Sequence, residues 1–127
     1  MKKYLILIVL VLFAQYAFAE TAIINKQIAK DVQNLEPIGV DVKFDKDIGR
    51  LFCFTEVSTD KYPTNIVHLW LYNSKIMAEI PLSINSNKWR TFSSKTISPD
   101  WVGKWKVEIY TSDNKLIDEI VFEIVDE

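Results

Sequence analysis

Residues 66–84 read IVHLWLYNSKIMAEIPLSI. The first seven are apolar on both faces of an extended chain: Ile66, His68, Trp70 and Tyr72 alternate with Val67, Leu69 and Leu71. A short run rich in β-branched and aromatic side chains is a strand with neighbours on both sides. Asn73-Ser74 is a two-residue turn, so Lys75–Ile84 returns as the second arm of a hairpin. Strict alternation puts Ile76, Ala78, Ile80 and Leu82 on its apolar face.

The same grammar extends in both directions. Downstream, Asn85–Asn87 is a turn and Trp89–Ile97 a strand whose faces are both mixed, which a bulge or an edge position explains. Ser98-Pro99-Asp100 is a turn. Gly103–Tyr110 alternates cleanly, with Trp105, Val107 and Ile109 inward and Lys104, Lys106 and Glu108 outward. Ser112–Asn114 connects tightly to Leu116–Val125, where Ile120, Phe122 and Ile124 share a face. Upstream, Arg50–Val57 (RLFCFTEV) reads as a central strand, with Phe52 and Phe54 among its core residues. Asp45–Asp47 and Ser58–Asn65 are loops, Val40–Phe44 is a short strand, and Asn34–Gly39 is a break around Pro37. Ala22–Val32 fits either a strand or a helical turn. About seven strands, with turns every 8–12 residues and no confident long helix, predict an all-β antiparallel immunoglobulin-like β-sandwich. Its expected core includes Phe52, Phe54, Trp70, Trp105, Val107 and Phe122.

Residues 1–19 stand outside that domain. Lys2 and Lys3 precede the apolar run Tyr4–Phe13, and Ala17-Phe18-Ala19 supplies small residues where a signal peptidase reads. A signal peptide cleaved near Ala19 is expected, giving a periplasmic or secreted single domain over 20–127. The alternative is an uncleaved segment, the one route to a membrane, although the run falls short of the roughly 20 apolar residues of a spanning helix. Without Lys2 and Lys3, 13 basic residues face 17 acidic ones and the formal charge moves from −2 to −4. Such a balance does not suit a phosphate backbone, so no nucleic-acid partner is expected. A lone Cys53 has no internal disulfide partner, so the core must stabilise the domain alone.

Chemical motifs are scarce. One histidine and one cysteine do not make the usual four-ligand zinc site, and no metal or other cofactor is expected. His68 lies within a strand without a G-x-S-x-G turn, so it reads as a core histidine satisfied by a neighbour. Cys53 reads as a small buried hydrophobe. With three glycines in the chain there is neither a P-loop nor G-x-G-x-x-G. No nucleophile–base pair is apparent, and the expectation is a protein that is not an enzyme.

The aromatic residues remain. Trp70 and Trp105 read as core. Trp101 follows the turn and either caps the end of the core or stands exposed as a platform for a sugar ring or a protein partner. Trp89 and Tyr110 are the other platform candidates. Arg90 either binds a carboxylate ligand or pairs with Glu56 or an aromatic ring.

Four ordered motifs resemble a known family: Arg50–Glu56 (RLFCFTE), His68-Leu69-Trp70, Trp89–Lys95 (WRTFSSK) and Gly103–Val107 (GKWKV). Together they are similar to the bacterial domain-of-unknown-function family two-nine-one-four, with a likeness running from Ala22 to Val125. Phe92 stands where that family often has tryptophan. The resemblance implies a small, immunoglobulin-like β-domain of the bacterial envelope and assigns no activity. Two functions follow as expectations. One is a non-catalytic exported module that binds an envelope protein or serves a structural role, through a sheet face, an edge or the Trp101 loop. The other is a carbohydrate-binding module that uses Trp101, Trp89 and Tyr110 on a glycan.

Overall fold

The computed structural model describes residues 20–127; residues 1–19, where a leader sequence is expected, lie outside them. Nine strands form: β1 (Ala22–Gln33), β2 (Glu36–Val40), β3 (Lys43–Asp45), β4 (Arg50–Ser58), β5 (Thr64–Tyr72), β6 (Lys75–Ile84), β7 (Lys88–Thr96), β8 (Gly103–Thr111) and β9 (Leu116–Val125). They make two sheets, in the orders β2-β1-β4-β7 and β3-β9-β8-β5-β6. All pairings are antiparallel except β3 with β9. With β1, β4 and β7 as strands A, B and E, and β5, β6, β8 and β9 as C, C′, F and G, this is an immunoglobulin-like order without strand D.

The count of seven rises to nine because Ala22–Val32 forms a strand and β2 escapes a reading of alternation, while the short strand expected at Val40–Phe44 shifts to Lys43–Asp45 and Val40 ends β2. β2 carries Pro37 and Gly39, yet it is an edge strand, where a missing N–H costs no ladder bond. Asn34 and Leu35 close the β1–β2 hairpin with φ of 51° and 57°. β3 spans three residues, and Phe44 inserts into the core beside Ile124. Ala22–Val32 settles as strand because β1 is hydrogen-bonded on both sides, to β2 and β4. Strand β7 lies at a sheet edge with an unbroken register to β4, so edge position rather than a bulge accounts for its mixed faces.

Between the sheets, Phe122 meets the rings of Phe44, Trp70 and Trp105 at centroid distances of 6.3, 6.1 and 5.9 Å. Around them pack Ile28, Leu51, Cys53, Val107 and Ile124. At the other end Val57, Ile66, Ile84 and Ile109 form a second cluster, with Trp89 against it. The two phenylalanines that flank Cys53 lie elsewhere than expected. Leu51, Cys53, Thr55 and Val57 point inward, so Phe52 and Phe54 face away from the other sheet. Phe52 is half-buried against Phe92, at 6.0 Å.

Phe54 is nonetheless only 1% exposed. Arg90, in register with Glu56 on β4, donates to the Leu35 carbonyl at 3.3 Å and pairs with Glu36. In a flat sheet Glu36 would stand opposite Gln33, eight residues along β1 from the level of Glu56, or about 26 Å away. The β1–β2 hairpin therefore bends back over the outer face of β4 and β7, and Arg90 holds its tip.

A bulge between Trp70 and Leu71 corrects one further expectation. Trp70 pairs with Ala78 and Leu71 with Ile76, which leaves Met77 as the additional residue. Ala78, Ile80, Leu82 and Ile84 keep the inward side, Met77 packs against the core, and Ile76 turns outward to 60% exposure. Truncation tests the parity change. Ile84→Ala should cost about 2–5 kcal/mol in urea unfolding, as for other buried isoleucines. Ile76→Ala should stay within about 0.5 kcal/mol, as for an exposed site.

Candidate functional site

The polar residues inside the sandwich converge on one point. His68 and Trp70 point inward from β5, Thr55 from β4 and Ser93 from β7. All four are buried. The Trp70 Nε1–H donates to the Ser93 hydroxyl at 3.0 Å, Ser93 Oγ lies 2.6 Å from His68 Nδ1, and Thr55 Oγ1 lies 3.2 Å from His68 Nε2. A directed chain satisfies the ring: Trp70 donates to Ser93, Ser93 to Nδ1, and the Nε2–H to Thr55. Burial alone lowers the His68 pKa from 6.5 to about 3, so the imidazole is neutral.

Sequence reading finds no nucleophile–base pair, and here the fold places Ser93 against His68. The third partner is a threonine hydroxyl rather than a carboxylate, and the cluster is sealed between the sheets. Oγ therefore has no open approach for a reacting carbonyl in this conformation. Cys53 is fully buried, and desolvation pushes its thiol pKa far above the ordinary range, which removes it as a nucleophile. Among the described residues, no three His, Cys, Asp or Glu side chains converge where they could hold a metal ion.

The candidate platform residues are not brought together. Trp89 packs against the cluster of Val57, Ile66, Ile84 and Ile109, whereas Trp101 packs against the cluster around Trp105 at the other end of the sandwich. Trp101 caps the core: its ring is 6.0 Å from that of Trp105, and its carbonyl accepts the Trp105 Nε1–H at 3.0 Å. Lys95 Nζ sits 5.1 Å from the centre of the Trp101 ring. Tyr110 lies on the outer face of the five-stranded sheet, where its hydroxyl donates to Glu108 at 2.8 Å. Arg90 is committed to the hairpin, with Glu56 at 3.7 Å as its second partner. The Glu36 hydrogen bond, helped by Glu56, raises its pKa further.

The outer face of the five-stranded sheet is open. Register stacks its side chains in rows across the strands. Lys104, Glu123 and Lys43 form the first row, and Ile76, Leu71, Lys106 and Val121 the second. Glu79, Leu69, Glu108 and Glu119 form the third. Val121 is 57% exposed, and Val42, which flanks it from the chain before β3, is 64% exposed. A hollow of about 360 Å³ lies over Leu71, Lys104, Trp105, Lys106 and Val121, beside the Asn73-Ser74 turn. Single positions in the sequence gave no sign of these rows, because they exist only once the register is known.

With this geometry in view, a family model described as a protein of unknown function (DUF2914) matches residues 63–124. Over these 62 of 127 residues the chain is similar to the DUF2914 family. The match holds the histidine-x-tryptophan, tryptophan-arginine-threonine and glycine-x-tryptophan motifs, and with them all of the outer face except Val42 and Lys43. It does not reach the Arg50–Glu56 motif or the β1–β2 hairpin, so the DUF2914 segment is shorter than the likeness from Ala22 to Val125. No curated protein matches the chain.

The buried cluster makes a pH prediction. Below pH 6.5 the unfolded histidine takes up a proton that the folded one refuses down to about pH 3. Stability should therefore fall on acidification through that window by up to about 1.4 kcal/mol per pH unit, and be independent of His68 above it. Urea titrations between pH 7.5 and 4.5 should show that slope in the wild type and a flatter one in His68→Gln. Ser93→Ala, which strands the Trp70 N–H and one imidazole nitrogen, should cost about 1–3 kcal/mol at neutral pH.

Proposed function

We propose that the protein is an exported, non-catalytic interaction module of the cell envelope that binds a protein partner through the outer face of its five-stranded sheet. The observation that carries this reading is the distribution of chemistry in the fold. Groups with catalytic potential are sealed between the sheets, while Ile76, Val121 and Val42 stand in the open on one regular face. Exposed apolar side chains rimmed by charge mark interaction surfaces more often than bare solvent faces. The opposite sheet also exposes Ile24, Leu35, Ile38, Val40 and Phe92, but these are spread over the start of β1, the β1–β2 hairpin and the edge strand β7 rather than lined up in rows across one face. Export is supported by the leader pattern of Lys2, Lys3, the Tyr4–Phe13 run and Ala17–Ala19.

The test is site-specific photo-crosslinking in the native host, with a benzophenone amino acid in place of Val121 or, as a control, in place of Lys88 at the start of β7. The Val121 probe should trap a protein adduct in the envelope fraction and the Lys88 probe should not. Equal labelling from both sites, or no adduct from Val121, would contradict the assignment. Mass spectrometry of the same fraction should find a chain that begins at Glu20; a chain retaining residues 1–19 would contradict cleavage.

A further inference from the structure

The outer face is banded by charge, and the banding specifies a partner. The first row carries Lys104 and Lys43 around Glu123, the second is apolar apart from Lys106, and the third carries Glu79, Glu108 and Glu119 around Leu69. Glu108 and Glu119 are directly opposed on β8 and β9, an arrangement of like charge that works against the isolated sheet. Lys106 engages Glu108 at 3.1 Å. Lys43, Lys104, Glu79 and Glu119 take part in none of the ion pairs among the described residues. A single face thus presents unpaired lysines on one side of an apolar row and unpaired carboxylates on the other.

Resting on the reading of this face as an interaction surface, we infer that its partner is a second copy of the chain. A two-fold axis through the apolar row sets the lysine row of each copy against the carboxylate row of the other and brings the two apolar rows together. Isologous contacts require this kind of self-complementarity. A partner of one charge sign would match one row and be repelled by the other. The size also fits. Five strands give four spacings of about 4.8 Å, and seven residues of strand run about 23 Å, so two such faces would cover on the order of 1,000 Å² together. That is the lower end of what a specific interface buries. A modest affinity, sensitive to salt, follows from an interface of that size with charged rows at its borders.

The experiment uses the chain from Glu20 onward, which the structure shows as a closed two-sheet body. Light scattering coupled to size exclusion, over a concentration series at low salt, should give a mass that rises to twice that of the monomer. Lys43→Glu with Lys104→Glu makes both rows acidic, and Glu79→Lys with Glu119→Lys makes both basic. These side chains are solvent-facing, so circular dichroism should show both variants folded. Each variant alone should dimerise at least about tenfold more weakly, and a one-to-one mixture should recover association to within about threefold of wild type. A wild type that stays monomeric, or a dimer indifferent to both reversals, overturns the second-copy partner. The mass of the Val121 cross-link separates the two ideas. An adduct with a different protein removes the second copy and keeps the binding face, whereas no adduct of any mass removes both.

Discussion

The alignment of the two sheets is fixed at one hydroxyl. Ser93 is the group on β7 that meets two polar rings carried by β5 in the other sheet: it accepts from the Trp70 indole and bonds the His68 imidazole at 2.6 Å. Without it, an N–H and a ring nitrogen would lie unpaired in a medium where each such loss is expensive. Aliphatic contacts tolerate small slips between two sheets, but this chain of bonds admits one alignment. The weak alternation of β7 follows directly. Ser93 occupies an inward position because the facing sheet brings polarity to be satisfied.

A second device stands where an immunoglobulin domain has its disulfide. Trp70 lies on strand C and Cys53 on strand B, but strand F offers Val107 where the second cysteine would be. Two residues earlier, Trp105 returns its indole N–H to the Trp101 carbonyl, the place of the tyrosine corner in such domains. The corner is kept and the covalent link is absent. Ring packing of Trp105 with Phe122, Tyr72 and Trp101 supplies stabilisation in its place, each such pair contributing about 0.5–1.5 kcal/mol beyond burial.

Much of this was legible in the sequence wherever a signal was local. The Asn73-Ser74 turn, the inward set Trp105, Val107 and Ile109, and the central strand around Cys53 follow from turn chemistry and period-two alternation. Other features depend on contacts distant in sequence. Pro37 and Gly39 look like a break until β2 is seen to be an edge. Ile76 looks buried until the bulge at Trp70 reverses its side. Phe54 looks like core between the sheets, and it is buried instead beneath a hairpin that Arg90 draws back over β4. The Ser93–His68 contact joins residues 25 apart, and although each lies within a family motif, neither motif says that the two meet. The charged rows follow from cross-strand register, which no run of neighbouring residues reveals.

These features divide the molecule into an interior that holds its chemistry closed and a face that holds its charges open. The division rests on His68 being a structural imidazole, neutral and shut off from water. A ¹⁵N–¹H correlation spectrum of the imidazole nitrogens, followed from pH 7.5 to 4.5, tests this most directly. The account predicts one fixed tautomer protonated at Nε2, with shifts that do not move while the protein stays folded. A histidine that titrates near pH 6.5 in the folded state would show that the cluster is open to solvent. The Ser93–His68 pair would then have to be considered as a site of chemistry.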